Sequence, residues 1–363
     1  MIRSFSWTGF SRTALCGLLI AGPGLLGACG SPPVEENLTT GPATATGYPV
    51  AVDNCGYQQT FDRPPERVLI LQGASVGEVE TFLTLGLGET IVANTQYYGV
   101  SDIPGMAEQV DALPKGGLVL NAAADVPAEQ ILALRPDLVV STWSGGFDPK
   151  YGFADREMLH QAGIRTLVNP VNCAYGKPRN VTAAEEQTYR TGSTESSLAF
   201  VELIGEVFGV PDQATTVVNE LRERIELVRQ QVAGQEPKRM LIAFPDMSVM
   251  NANGLPAVLS GTIYDSVVRA AGGEPSFPDG DWELTGNLSA EQLAAAQVDV
   301  LILGAYRPGE DLDAEAAKLF AAYPQWNAAK NNTYVKVSDG IYLGPANAAA
   351  IEKIARVAHP TVF

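Results

Sequence analysis

The sequence predicts an α/β protein of two αβα lobes, each on a mainly parallel sheet, bridged by a single long helix. Three observations predict it. One helix-then-strand unit occurs twice, as PAEQILALRPDLVVSTW (Pro127 to Trp143) and SAEQLAAAQVDVLILGAY (Ser289 to Tyr306). Each copy opens on a small or turn residue, runs through Ala-Glu-Gln with helical periodicity, passes an Asp and ends as a β-rich strand closed by an aromatic. Short apolar strands alternate with helical stretches along the chain, the pattern of parallel αβα sheets. Between the copies, Pro211 to Ala233 keeps an unbroken helical pattern with Leu221, Ile225 and Val228 on one face; Pro211 suits a first helical turn, and such a helix reaches roughly 35 Å.

The chain has 363 residues, 46% hydrophobic and 18% charged, enough to bury one large core or two ordinary ones. Its net charge of −17 repels nucleic acid and anionic lipid headgroups, so DNA or RNA is not expected as the main partner.

The elements follow in order. Residues 1–28 read as an export signal: Arg3 and Arg12 supply the charged start, Ala14 to Ala28 an apolar run too short to span a bilayer. The run ends in Leu26-Gly27-Ala28-Cys29, which resembles a bacterial lipobox and makes Cys29 the expected lipidation site. Residues 29–47, rich in Pro, Thr, Ala and Gly, read as a flexible tether. An extracytoplasmic, lipid-anchored protein on the cell membrane is expected. Of four cysteines, Cys16 leaves with the signal and Cys29 takes lipid; Cys55 and Cys173 remain as an even pair in an oxidising compartment and are expected to be bonded.

The N-terminal lobe is expected over 48–195. Its strands are Arg67 to Leu71, Thr90 to Ala93, Asp137 to Ser141 and Arg165 to Val168; its helices include Val76 to Leu85 and Asp155 to Ala162. A helical segment over 196–234 includes the bridge. The C-terminal lobe, 235–363, opens on the strand Lys238 to Phe244. Helices follow over Thr262 to Ala271 and in the second repeat copy, then over Asp313 to Tyr323 and Ala346 to His359, with Thr333 to Val337 as a strand.

Five stretches in order, VDNCGYQQTFDRPPERVLIL, LGLGETIVA, AEQILALRPDLVV, IYDSVVRAAGG and WNAAKNNTYVKV, resemble the solute-binding lipoproteins of ABC importers for ferric siderophores, cobalamin and haem, from about Val52 to Phe363. The resemblance implies two αβ lobes joined by one long helix, a ligand in the interlobe cleft, an ABC permease and ATPase as partners, and no catalysis or resident cofactor. It also implies that Glu129 and Glu291, at matching helix starts, dock the permease; as bare residues they equally suit helix N-termini.

Open αβ sheets bind ligands in the loops after their strands. That places Gln72, Tyr97, Tyr98, Trp143 and Phe147 in the first lobe, and Asn253, Trp282, Tyr306 and Arg307 in the second, as ligand-contact candidates, with Met247 a more natural core residue. Trp143 and its counterpart Tyr306 lead, because aromatics give large contact area at low entropy cost. Two histidines, His160 and His359, are too few for a bare zinc or manganese site, so the cargo is expected to be a preformed chelate. Catecholate chelates are strongly anionic and call for several Arg or Lys. Arg307 is placed after a strand, with Lys150 and Arg156 as further candidates, which favours a neutral or weakly charged ferric siderophore; cobalamin, haem or a deazaflavin-type precursor are alternatives. A remoter alternative is a lipid-anchored serine hydrolase: Gly73-Ala74-Ser75-Val76-Gly77 fits a G-x-S-x-G elbow, with His359 downstream. Against it, the elbow would follow the first strand of the sheet, and no HGG-type oxyanion segment appears.

Overall fold

The computed structural model describes residues 47–363, except 74, 98–99, 122–124, 279 and 308. It opens with a hairpin, β1 (Val50–Asn54) and β2 (Tyr57–Phe61), paired antiparallel from Val50 opposite Phe61 to Asn54 opposite Tyr57. The two turn residues, Cys55 and Gly56, both have positive φ, the backbone twist that closes a two-residue hairpin.

The first large sheet contains β3 (Val68–Ile70), β4 (Ile91–Asn94), β5 (Leu138–Ser141) and β6 (Arg165–Val168), all parallel in the order β4-β3-β5-β6. The second contains β7 (Lys238–Phe244), β8 (Ala257–Leu259), β9 (Gly273–Pro275), β10 (Val300–Ala305) and β11 (Tyr334–Ser338). Its order is β11-β10-β7-β8, with β9 parallel and β8 antiparallel on the same side of β7. The all-buried patterns of β3, β5 and β10 explain why these strands read as continuous apolar runs: helices cover both faces.

The repeat units form as expected. Each begins as a short helix, Ala128–Leu134 or Ala290–Ala295, and continues into β5 or β10. Between the sheets runs the helix Pro211–Val232, 22 residues or roughly 33 Å long. It buries Ala214, Val218, Leu221, Ile225, Val228 and Val232, a stripe at spacings of three and four residues. Each large side chain in that stripe contributes roughly 1.5–3 kcal/mol by leaving water. The stripe belongs to one apolar cluster that also takes in Val68 and Ile70 of the first sheet, Ile242 and Ile302 of the second, and Ile351 and Ile354 of the helix Ala346–Ala358. The bridge is therefore embedded in packing shared by both sheets. Separate clusters cover the outer faces, around Leu301, Leu303 and Trp326 on one side and Leu69, Val139 and Phe147 on the other.

Candidate functional site

The loops after β3, β4, β5 and β6 meet those after β10 and β11 at one seam. Across it, the Tyr342 hydroxyl donates to Asn172 Oδ1 at 2.8 Å, the Val76 amide donates to Asp339 Oδ2 at 3.1 Å, and the Gln72 side chain hydrogen-bonds the Tyr306 phenol. Convergence of carboxyl-end loops from two sheets is where this class of fold places a ligand.

Aromatic rings dominate the seam. Trp143 sits two residues past β5 and is half-buried. Its indole lies against Gly145 and Gly176: a Cβ on either would fall 2.2 Å and 2.4 Å from the ring, so only glycine admits it. Tyr175 packs on Trp143 with centroids 5.0 Å apart, and Tyr189 stacks on Tyr175 at 5.6 Å and 12°. On the other lobe Tyr264 stacks on Tyr342 at 5.1 Å and 17°. Burial, reinforced by neighbouring Tyr175, holds the Tyr189 phenol up at about 12, so the wall is neutral at ordinary pH.

A buried polar knot holds the first-lobe side in place. Glu78, in the first turn of the helix Gly77–Thr84, is fully buried. Its Oε1 accepts from Asn169 Nδ2 at 2.8 Å; its Oε2 accepts from Thr142 Oγ1 at 2.6 Å and Gln96 Nε2 at 2.9 Å. Asn169 and Thr142 immediately follow β6 and β5, Gln96 lies two residues past β4, and Thr142 and Gln96 directly precede Trp143 and Tyr97. Burial pushes the Glu78 carboxyl up, opposed by these three side-chain donors.

The expected contact residues divide. Gln72, Trp143 and Tyr306 lie at the seam. Arg307 is exposed, its guanidinium 3.2 Å from Asp246. Tyr97 is exposed with the Lys115 ammonium 4.8 Å from its ring centroid. Trp282 begins the helix Trp282–Asn287 and is 73% exposed, and Met247 is half-buried against the shared core. Phe147 is a correction: it is 4% exposed and packs with Leu69, Val139 and Leu159, so it belongs to the first-lobe core. Asn253 is exposed, but its side chain amide braces a loop by donating to Leu288 O at 2.9 Å. Arg156, weighed as a cleft cation, is buried and ties Asn54 to Thr166 beneath the hairpin; burial draws its guanidinium down to about 10. Lys150 is spent on Asp148 at 2.8 Å. Tyr98 and Cys29 lie outside the described residues, as do the signal and nearly all of the tether.

Cys55 and Cys173 are joined by a disulfide. The bond fastens the hairpin turn to the loop that carries Tyr175. Glu129 and Glu291 are both exposed, each the second residue of its repeat helix. The Glu291 carboxyl is held low by its own backbone amide and the Ser289 hydroxyl.

Tyr175, Tyr189, Tyr264 and Tyr342 were not legible as site residues, because none directly follows a strand of the repeat. The segment VNCAYG was the one available signal, since a disulfide at Cys173 fixes its neighbour Tyr175.

The hydrolase geometry is absent. Ser75 is fully buried; its hydroxyl accepts from the Gly77 amide at 3.0 Å and faces Asp339 O at 3.4 Å. His359 is buried elsewhere, with Nε2 2.9 Å from Gly272 O. The G-x-S-x-G turn is an interlobe contact. Among the described residues no group of three or more His, Cys, Asp or Glu side chains is arranged to hold a metal ion. A concavity of about 640 Å³, lined by Arg190, Arg229 and Arg269, lies near the end of the bridging helix. It lies by the amino ends of β7 and β9, away from the carboxyl ends of the strands, so the aromatic seam is the better candidate.

Comparison with known proteins agrees with this layout. Residues 75–340 match the family model described as periplasmic binding protein. A vitamin B12-binding protein of Yersinia pestis is 24% identical over 240 residues, 66% of this chain and 69% of the relative. Among solved structures, an ABC-type Fe3+-hydroxamate transport protein from Saccharomonospora viridis superposes with a TM-score of 0.61 at 21% identity, covering 86% of this chain and 99% of that one. A periplasmic haem-binding protein from Roseiflexus does so at 0.58 and 18%, covering 82% and 99%. These relatives are binding proteins rather than enzymes, and so is this chain. The family model spans most of the sequence, and the two-sheet architecture with its long bridge is shared with solved relatives: the chain belongs to the periplasmic binding protein family.

Proposed function

We propose that this protein is the solute-binding component of an ABC importer, held at the outer face of the cell membrane through lipid on Cys29, and that its cargo is a neutral or weakly charged ferric chelate, foremost a hydroxamate siderophore. The protein captures the chelate between its lobes and hands it to the permease, with Glu129 and Glu291 as docking carboxylates. Named relatives bind ferric hydroxamate, vitamin B12 or haem, which bounds the ligand class.

The observation that carries the choice within that class is the polarity of the seam. Gln72 Oε1 and Glu310 Oε2 are buried acceptors without a partner in the structure. A buried unpaired polar atom costs roughly 1–3 kcal/mol, so a ligand that satisfies it is favoured. Acceptors call for ligand N–H or O–H donors. Arg307, the cation placed beside them, is partly neutralised by Asp246. The aromatic wall suits an apolar or planar surface. Together these support a donor-rich, weakly charged chelate over a strongly anionic one.

The test is titration of tryptophan fluorescence in the purified protein with ferric hydroxamate, ferric catecholate, haem and cobalamin. Saturable quenching by the hydroxamate, lost in Trp143→Phe, is expected. Preference for the catecholate would overturn the charge argument, and preference for cobalamin or haem would move the ligand to that class.

A further inference from the structure

The seam also contains carboxylates that no cation accounts for. Glu80, on the helix Gly77–Thr84, is fully buried; its Oε1 accepts from Ser101 Oγ at 2.5 Å, its Oε2 makes no close hydrogen bond, and the Ala346 amide also favours its charged form. Facing it from the second lobe is Asp339, 3% exposed, whose Oδ2 accepts from the Val76 amide and whose Oδ1 has no partner. Glu80 Oε2 lies only 3.3 Å from where a Cβ on Gly340, the residue after Asp339, would sit.

The surrounding charges do not neutralise this pair. Asp102 is buried beside it, with Oδ2 accepting from the Ser338 amide at 2.8 Å and hydroxyl at 3.0 Å, and Oδ1 taking the Lys353 ammonium at 2.6 Å. Lys353 is thereby committed. Glu78 is occupied by its three donors. Tyr264 and Tyr306 add only neutral phenols near Asp339. Two adjacent buried carboxylates without a cation cannot both ionise cheaply. Burial first, then Asp102 and Glu78, pushes Glu80 up to about 8; burial and then Glu80 raise Asp339 well above its usual range.

We propose that Glu80 and Asp339 form a proton-holding latch between the lobes, closed while the pair retains a proton and opened when both side chains ionise. The proton neutralises the pair at the point where Val76 and Ser338 donate their amides across the seam. Its loss places like charges on opposite lobes in a water-poor contact. The lobes then part locally, so that the cleft floor loosens as pH rises.

The test is amide hydrogen exchange of the ligand-free protein, read at Val76 and Ser338 and corrected for intrinsic rate, between pH 6 and 9. Their opening equilibrium should rise by about tenfold per pH unit from pH 6 toward about pH 8, the slope of a single-proton linkage over the window in which Glu80 keeps its proton only in the closed form, and should level off above it. The Glu80→Gln/Asp339→Asn double variant should be flat over the same range. Asp125→Asn should keep the wild-type slope, because Asp125, raised by burial to about 7, lies outside this pair. A flat wild-type profile overturns the latch whether or not the double variant folds; an unchanged slope in a folded double variant does the same. Neither readout depends on the identity of the cargo.

Discussion

Replacing Glu78 tests whether one carboxylate organises the first-lobe side of the cleft. In Glu78→Ala, Asn169 Nδ2, Thr142 Oγ1 and Gln96 Nε2 all lose their acceptor. Gln96 Nε2 retains a longer contact of 3.2 Å to Thr142 Oγ1, so two donors are fully orphaned and one partly. Hydrogen bonds to charged groups contribute about 1.5–3 kcal/mol each. Removing the buried charge returns part of that through relieved desolvation, leaving a net destabilisation of roughly 3–5 kcal/mol, the range for breaking a buried charged network. Glu78→Gln keeps one acceptor oxygen for Thr142 and Gln96 and presents its amide to Asn169. Asn169 can turn its own oxygen toward it at the expense of a 3.4 Å bond from the Val171 amide. That exchange should cost about 1–2 kcal/mol. Urea midpoints at constant m-value measure both, and near-UV circular dichroism reports the Trp143–Tyr175 pair independently. A loss below about 1 kcal/mol in Glu78→Ala with an unchanged aromatic spectrum would refute the assignment.

Other perturbations follow from the same geometry. Cys55→Ser with Cys173→Ser opens a 118-residue loop and should cost about 4–5 kcal/mol on the chain-entropy model, measured by denaturation of oxidised and double-variant protein; a change under 1 kcal/mol would contradict it. Trp143→Ala should weaken cargo binding by ~1–3 kcal/mol, roughly five- to 150-fold in Kd, read by calorimetry; unchanged affinity would make the indole purely structural. Glu129→Ala with Glu291→Ala should leave binding by the purified protein intact while uptake by cells falls, and loss of binding would count against a docking role. Because the folded-state pKa of Glu80 is raised from 4.5 to about 8, its contribution is fully present below about pH 4.5 and lost as pH rises to about 8. Stability should fall by up to ~1.4 kcal/mol per pH unit across that window for this one proton, and Glu80→Gln should remove this part of the slope in urea titrations.

Much of the architecture was legible because burial on both faces imposes long apolar signals. β7 could be read to its ends, Lys238–Phe244, and the bridge to within a residue, since its stripe is periodic and Pro211 marks its start. The hairpin β1–β2 was not, because its alternation is weak and its turn uses Cys55 at positive φ rather than Asn or Asp. β8 and β9, three residues each, carry too few side chains to show a period. At the site, Trp143 and Tyr306 could be found from their place after a repeated strand. Phe147 was misplaced for the same reason: position after a strand does not tell which way a side chain turns, and this one turns into the core. Glu78 and Glu80 look in the sequence like solvated first-turn acids of an ordinary helix. Only tertiary contact with Asn169, Thr142 and Gln96 for one, and with the residues around Asp339 for the other, shows that both are buried.

The helix Ala346–Ala358 has a consequence for biogenesis. Lys353 reaches Asp102, Glu352 takes Arg224 of the bridge at 2.8 Å, and Asn347 joins Ser197 to the turn at Gly340 and Ile341. This helix fastens both lobes and the bridge at once. A chain stalled before it would hold two sheets with no common clamp, its bridging stripe open to proteases. Docking of this helix and acquisition of the final lobe geometry are therefore coupled.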